Sequence, residues 1–258
     1  MKRVMRNQIG CGDRVHRTRS SPTVSRNSGF TLIELMVVIT VIAILAALVF
    51  PIVGAVNRAK VRARATAELK LIETAIATYQ AKFGHYPPDN AATASSTSPL
   101  YLNQLYYELS GTTLSKGVYT SKEGDATIKA VDVPRAFDAA KPTGFVNSMQ
   151  AGGSGDEVQV SINCFKGLNL KPANYADVTN PNTRAPMRVL VCSLGWPVTS
   201  PYQPTGTAGS GANPWRYNSS SPTNNPNSYD LWVDVIVGDK TNRFCNWSTK
   251  PIVVGVPY

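Results

Sequence analysis

From Leu35 to Val56 the chain carries no charged residue at 22 consecutive positions, LMVVITVIAILAALVFPIVGAV. As a helix rising about 1.5 Å per residue, this run would reach roughly 33 Å, against a bilayer core of about 30 Å. It can therefore cross a membrane, and three readings compete for it. A secretory signal peptide would use Val53-Gly54-Ala55 as its cleavage site, but its apolar part typically runs to about 7–15 residues and would not begin beside a carboxylate. A plain signal anchor accounts for length and orientation and leaves the residues just before the run unexplained. The third reading rests on those residues.

The formal net charge of +10 belongs largely to the N-terminus. Residues 1–29 hold Lys2, Arg3, Arg6, Arg14, Arg17, Arg19 and Arg26 against Asp13 alone, leaving 19 basic and 15 acidic residues in the remainder. Basic residues flanking an apolar span normally stay cytoplasmic, so the charge orients the chain and is a weak signal for nucleic acid, which is not an expected partner.

Ser28-Gly29-Phe30-Thr31-Leu32-Ile33-Glu34-Leu35 stands directly ahead of the uncharged run. This segment resembles the prepilin peptidase recognition site of type IV pilins and type II secretion pseudopilins. The resemblance covers roughly residues 28–56 and implies that prepilin peptidase cuts after Gly29 and that the new N-terminal Phe30 is N-methylated. It makes Glu34 the family's assembly glutamate, and Pro51 falls where that family commonly has a helix-bending proline. The leader is longer than those usual with such a start, which would fit a start codon downstream, for instance at Met5.

Elementary electrostatics supports the same assignment. An ionised Glu at membrane depth costs on the order of 2.5–3.5 kcal/mol on insertion scales and persists when it finds a partner. Cleavage after Gly29 would create a cationic amine on Phe30, and in a stack of identical subunits Glu34 of one chain can meet that amine on its neighbour. The simpler reading of Glu34 is a carboxylate in the first turn of a helix, favoured by the helix dipole.

Beyond the run, Val61, Ala65, Leu69, Ile72, Ile76, Tyr79 and Phe83 recur at alternating steps of four and three, an amphipathic stripe. Gly84 and Pro87-Pro88 then stop the helix. The sequence predicts one helix from Phe30 to Lys82, kinked at Pro51, its first half in lipid and its second half packed on a head. Three segments are thus expected: a basic leader at 1–29, a transmembrane and assembly helix at 30–56, and a periplasmic head at 57–258 with an insertion around 112–190. Within the head, Pro99–Ser110 reads as a short helix ended by Gly111, and Asp156–Phe165 and Met187–Leu194 as strands. Residues 197–228 read as loop around a Trp215 strand. The expected fold class is α+β, a long N-terminal helix packed on an antiparallel sheet.

Two head segments resemble major pseudopilins. Tyr79-Gln80-Ala81-Lys82-Phe83-Gly84-His85-Tyr86-Pro87 is similar to that family's helix exit. Asn213-Pro214-Trp215-Arg216-Tyr217, Tyr229-Asp230-Leu231-Trp232 and Asn246-Trp247 follow the order of its Pro-Trp-Gly, Asp-Leu-Trp and closing Asn-Trp elements. The family's calcium loop after Asp-Leu-Trp is replaced here by Val233-Asp234-Val235-Ile236-Val237-Gly238-Asp239-Lys240, whose alternation from Tyr229 to Val237 predicts a strand. Asp234 and Asp239 fall short of the 6–8 oxygens calcium takes, so neither metal nor cofactor is expected.

Nothing in the head reads as an enzyme. Outside the leader the one histidine is His85, at the helix-terminating turn, and Gly-x-Ser-x-Gly, P-loop and His-Glu-x-x-His motifs are absent. Gly152-Gly153-Ser154-Gly155 is followed by Asp156-Glu157, which would repel phosphate. Of the cysteines, Cys11 lies in the leader, and Cys164, Cys192 and Cys245 permit one disulfide and one spare thiol without matching a zinc spacing. The resemblance implies a structural subunit of a type II secretion pseudopilus or type IV pilus-like filament. It would sit in the bacterial inner membrane with a cytoplasmic N-terminus, and its partners would be prepilin peptidase, identical or related subunits and an inner-membrane assembly platform. The competing class is a minor pilin whose enlarged head binds a surface, glycan or DNA.

Overall fold

The structure is a computed structural model that describes residues 29–89, 102–137, 144–152, 160–180, 182–196 and 211–255, without the side chains of 48–53 and 196. The chain divides into two compact units, residues 1–49 and 50–258. The architecture is α+β, a helix with antiparallel sheets. Residues 1–28 of the leader, residues 90–101 and residues 197–210 lie outside the described residues.

Helix α1 runs Leu32–Phe83, within a residue or two of the span the periodicity predicts, and its helical assignment continues through Pro51. It stops where Gly84 takes φ +76° and its N–H reaches back to the Gln80 carbonyl at 2.8 Å. Ala65, Leu69, Ile72, Ile76 and Tyr79 are buried in the head core, as the stripe predicts, with Val61 and Phe83 half-buried at its ends. Ala75 is buried as well, one position from Ile76. A membrane-spanning first half is not found: among the described residues no helix is long and apolar enough to cross a membrane. The uncharged run includes positions 48–53, whose side chains lie outside that description.

Helix α2 (Leu105–Ser110) is buried at every position. It begins later than Pro99, because the Asn103 side chain accepts the Leu105 N–H at 3.2 Å and holds residues 102–104 out of the helix. Gly111 ends it at φ +68°; a Cβ there would lie 2.3 Å from the Ile162 carbonyl oxygen, so only glycine fits.

Among the described residues three sheets follow instead of the single sheet expected. The insertion builds the first: β1 (Thr112–Ser115), β2 (Val118–Ser121), β3 (Thr127–Lys129) and β4 (Ser148–Gln150), ordered β3-β2-β1-β4. Lys116 (φ 49°) and Gly117 (φ 76°) make the tight turn that lets β1 and β2 pair locally, and β4 joins β1 in parallel. A short helix α3 (Val133–Ala136) follows β3. The second sheet is antiparallel, β5 (Tyr175–Thr179), β6 (Pro186–Trp196) and β7 (Gly211–Pro214). The third is also antiparallel: β8 (Arg216–Asn218), β9 (Asp230–Val237), β10 (Lys240–Cys245) and β11 (Ile252–Gly255). In β9 the predicted alternation holds, with Leu231, Val233, Val235 and Val237 at most 3% exposed.

The strand expected at Asp156–Phe165 is not formed in its described part. The Asn147 side chain binds both the N–H and the carbonyl of Ile162 (2.8 and 2.7 Å), and Asn163 Oδ1 accepts the Phe165 N–H at 2.9 Å. Side chains thus take the backbone groups that a ladder would use, and residues 164–167 turn. Trp215 lies between β7 and β8 and is fully buried.

Candidate processing and assembly site

Gly29 and Phe30 precede α1 in irregular, exposed chain, with Phe30 86% exposed, so the Gly29–Phe30 peptide bond is open to a protease. Thr31 is the residue before the helix and Glu34 its third helical residue. The Glu34 carboxylate accepts from the Thr31 N–H at 2.8 Å and from its hydroxyl at 2.7 Å, while the Glu34 N–H donates to Thr31 Oγ1 at 3.3 Å. This reciprocal pair is a capping box, which satisfies orphan donors of the first turn and puts negative charge at the positive end of the helix. The signal lay in the sequence, Thr-x-x-Glu before an apolar run, and the sequence reading above reached Glu34 without it.

Around this cap the helix surface is apolar on every side. All the large apolar side chains described from Phe30 to Leu45 are 48–86% exposed. A helix that is hydrophobic all round is built to be surrounded, by lipid or by other helices. Glu34 is the acidic group of the helix's first turn.

The head residues considered for chemistry are occupied in other ways. Asp230 is buried, and its carboxylate accepts the N–H groups of Thr223, Asn224 and Asn225 at 2.8–2.9 Å, plus the Asn224 side chain at 3.0 Å. Asp89 holds the same β8–β9 loop from the other end, accepting from Ser219 N–H, Ser220 N–H and the Ser220 hydroxyl at 2.7–2.9 Å. Both carboxylates thus serve to hold the loop between β8 and β9 in shape. Asp234 binds Arg243 through two bonds of 2.8 and 3.0 Å, and Asp239 is exposed. Asn246 fastens β9 by accepting the Leu231 N–H and donating to the Tyr229 carbonyl, and the Trp247 ring meets that of Trp232 edge-on.

His85 is exposed and bonds the Tyr86 carbonyl at 2.9 Å, next to Tyr79 and Phe83. Cys164, Cys192 and Cys245 are free and buried, so the disulfide their count permits is not made among them. Burial pushes the Cys164 thiol up to about 11 and those of Cys192 and Cys245 upward as well, which leaves them protonated and unreactive at neutral pH. Gly152 closes a turn at φ +80°; its neighbours 153–159 lie outside the described residues.

The family model for the prokaryotic N-terminal methylation motif matches residues 24–50. The match encloses Gly29, Phe30, the Thr31–Glu34 cap and most of the exposed apolar helix. No curated protein and no solved structure matches the chain. In its N-terminal region the chain therefore carries a prepilin-type methylation motif, which supports a type IV pilin-like protein. The motif implies processing by prepilin peptidase and pilin-like assembly.

Proposed function

We propose that the chain is a structural subunit of a type II secretion pseudopilus or type IV pilus-like filament, working by assembly rather than catalysis. The methylation motif over residues 24–50 carries this reading. The subunit is held in the inner membrane by the segment 30–56 with its head in the periplasm, cut after Gly29, and N-methylated on Phe30. An assembly platform then moves it into a helical stack in which the apolar helices surround one another. That arrangement gives the exposed side chains from Phe30 to Leu45 an environment they lack in a single chain.

In the stack, Glu34 exchanges part of its bonding to Thr31 for the Phe30 amine of a neighbour. Two variants separate the cap from the assembly role. Glu34→Gln keeps an acceptor for the Thr31 N–H and loses the charge; Glu34→Ala loses both. Both are expected to be inserted and cleaved after Gly29, and both to fail at incorporation. Removing one member of a buried pair costs about 3–5 kcal/mol, repeated here at every contact. Sheared filament content and cleavage are measured in strains where the variant is the sole copy. Wild-type filament yield from Glu34→Gln would reduce the carboxylate to a helix cap.

A further inference from the structure

Among the carboxylates that neither processing nor assembly uses, Glu108 is the most deeply buried of those described. Glu108, in the wholly buried α2, is 0% exposed. Its Oε1 accepts the Val146 N–H at 2.9 Å and the Gln104 amide at 3.3 Å. Its Oε2 accepts the Asn147 N–H at 2.9 Å and the Tyr79 hydroxyl at 3.2 Å. One side chain thereby joins three stretches that reach it from different parts of the sequence: the end of α1, the approach to α2, and the chain entering β4. Asn147 completes the hub, donating to the Glu108 carbonyl at 2.6 Å while its own carbonyl accepts the Thr112 N–H that opens β1. The insertion sheet is anchored to the long helix at this point.

The hub has no cation. Glu108 makes no ion pair among the described residues. The titratable groups facing it are Tyr79 of α1, His85 just after it, Tyr119 of β2, Cys164 of the 164–167 turn and Tyr217 of β8. Tyr79, Tyr119, Cys164 and Tyr217 are neutral at physiological pH, and His85 is exposed. Four donors satisfy the oxygens of the ionised form, yet its charge stays out of water with no buried counter-charge. Gln104 Oε1, also buried, has no partner; exchange of the two ends of that amide would offer it to a protonated Glu108.

We propose that Glu108 is a proton-sensitive keystone, through which the grip of the insertion on the long helix tightens in mild acid and slackens as the carboxyl ionises. Burial drives the direction: it pushes the carboxyl up to about 7, against the lowering pull of the Asn147 and Val146 amides, Tyr79 and His85. The folded chain holds this proton more tightly than the unfolded chain, whose carboxyl lies near 4.5. The stabilisation is therefore complete below about 4.5 and lost as pH rises through about 7.

The test is urea unfolding of the full chain in detergent, followed by tryptophan fluorescence at pH 5, 6, 7 and 8, with wild type beside Glu108→Gln. All four tryptophans lie in the head, so the signal reports it directly. The wild-type midpoint is expected to fall from pH 5 to pH 8, and the amide variant to lose most of that fall even if it is less stable throughout. Parallel profiles for the two chains would overturn the proposal. Should Glu108→Gln fail to fold, carboxyl NMR of wild type with 13C-labelled glutamate decides. A buried carboxyl titrating near 7 supports the keystone, and one titrating below 4.5 refutes it.

Discussion

The two ends of α1 are one continuous helix with opposite surfaces. From Phe30 to Leu45 large apolar side chains cover it on every side and remain exposed. From Val61 to Phe83 apolar residues keep to one stripe, and that stripe is buried in the head. Helix propensity is satisfied in both halves, so propensity does not distinguish them; the angular distribution of apolar residues does. The stripe specifies a partner within the same chain. The all-round surface finds no partner among the described residues, and it is this half that carries the methylation motif.

The contrast is sharpest when one large apolar side chain is truncated in each half. Ile76, 0% exposed, lies at the centre of the stripe. Ile76→Ala is expected to destabilise the head by about 2–5 kcal/mol in urea unfolding, with cleavage after Gly29 unchanged. Val38→Ala, on the exposed half, is expected to leave head stability within about 0.5 kcal/mol. A large loss of head stability from Val38→Ala would mean that the halves do not divide their work in this way. A smaller effect is expected at the β8–β9 loop. Asp230→Ala leaves the amides of Thr223, Asn224 and Asn225 without their acceptor. A loss of about 1–3 kcal/mol should follow, because water can reach part of the freed loop. Hydrogen exchange at residues 223–225 should rise while that of α1 stays as it was. Unchanged exchange there would show that the loop holds its shape without the carboxylate.

Periodicity made the long helix, its stop at Gly84, the burial of Ala65 to Tyr79 and the alternation of β9 readable from the sequence. Each is a local pattern with one period and one face. What escaped depends on pairings far apart in the chain. Glu108 in Leu-Tyr-Tyr-Glu-Leu has the look of a polar residue on a short helix. It is buried because Tyr79 and residues 146–147 arrive around it, which no local pattern reports. Asp156–Phe165 has strand composition, but Asn147 and Asn163 take its backbone groups, so the competing side-chain bonds win. The sheet of β1 to β4 stands apart from that of β9, with the Lys116-Gly117 turn pairing β1 with β2. At the processing site the order is reversed. Gly29, Phe30 and Glu34 are candidates through a motif, while the capping bonds between Glu34 and Thr31 follow the Thr-x-x-Glu spacing and are made in the structure.

The central claim is that the chain is made longer than it functions, and the N-terminus of the cellular protein tests it most directly. Protein extracted from membranes of cells with active prepilin peptidase is digested and sequenced by mass spectrometry. The account predicts a mature N-terminus at Phe30, heavier by one methyl group on its amine, with no peptide from residues 1–29. An intact leader in those cells, or a mature start near Val56, would contradict it.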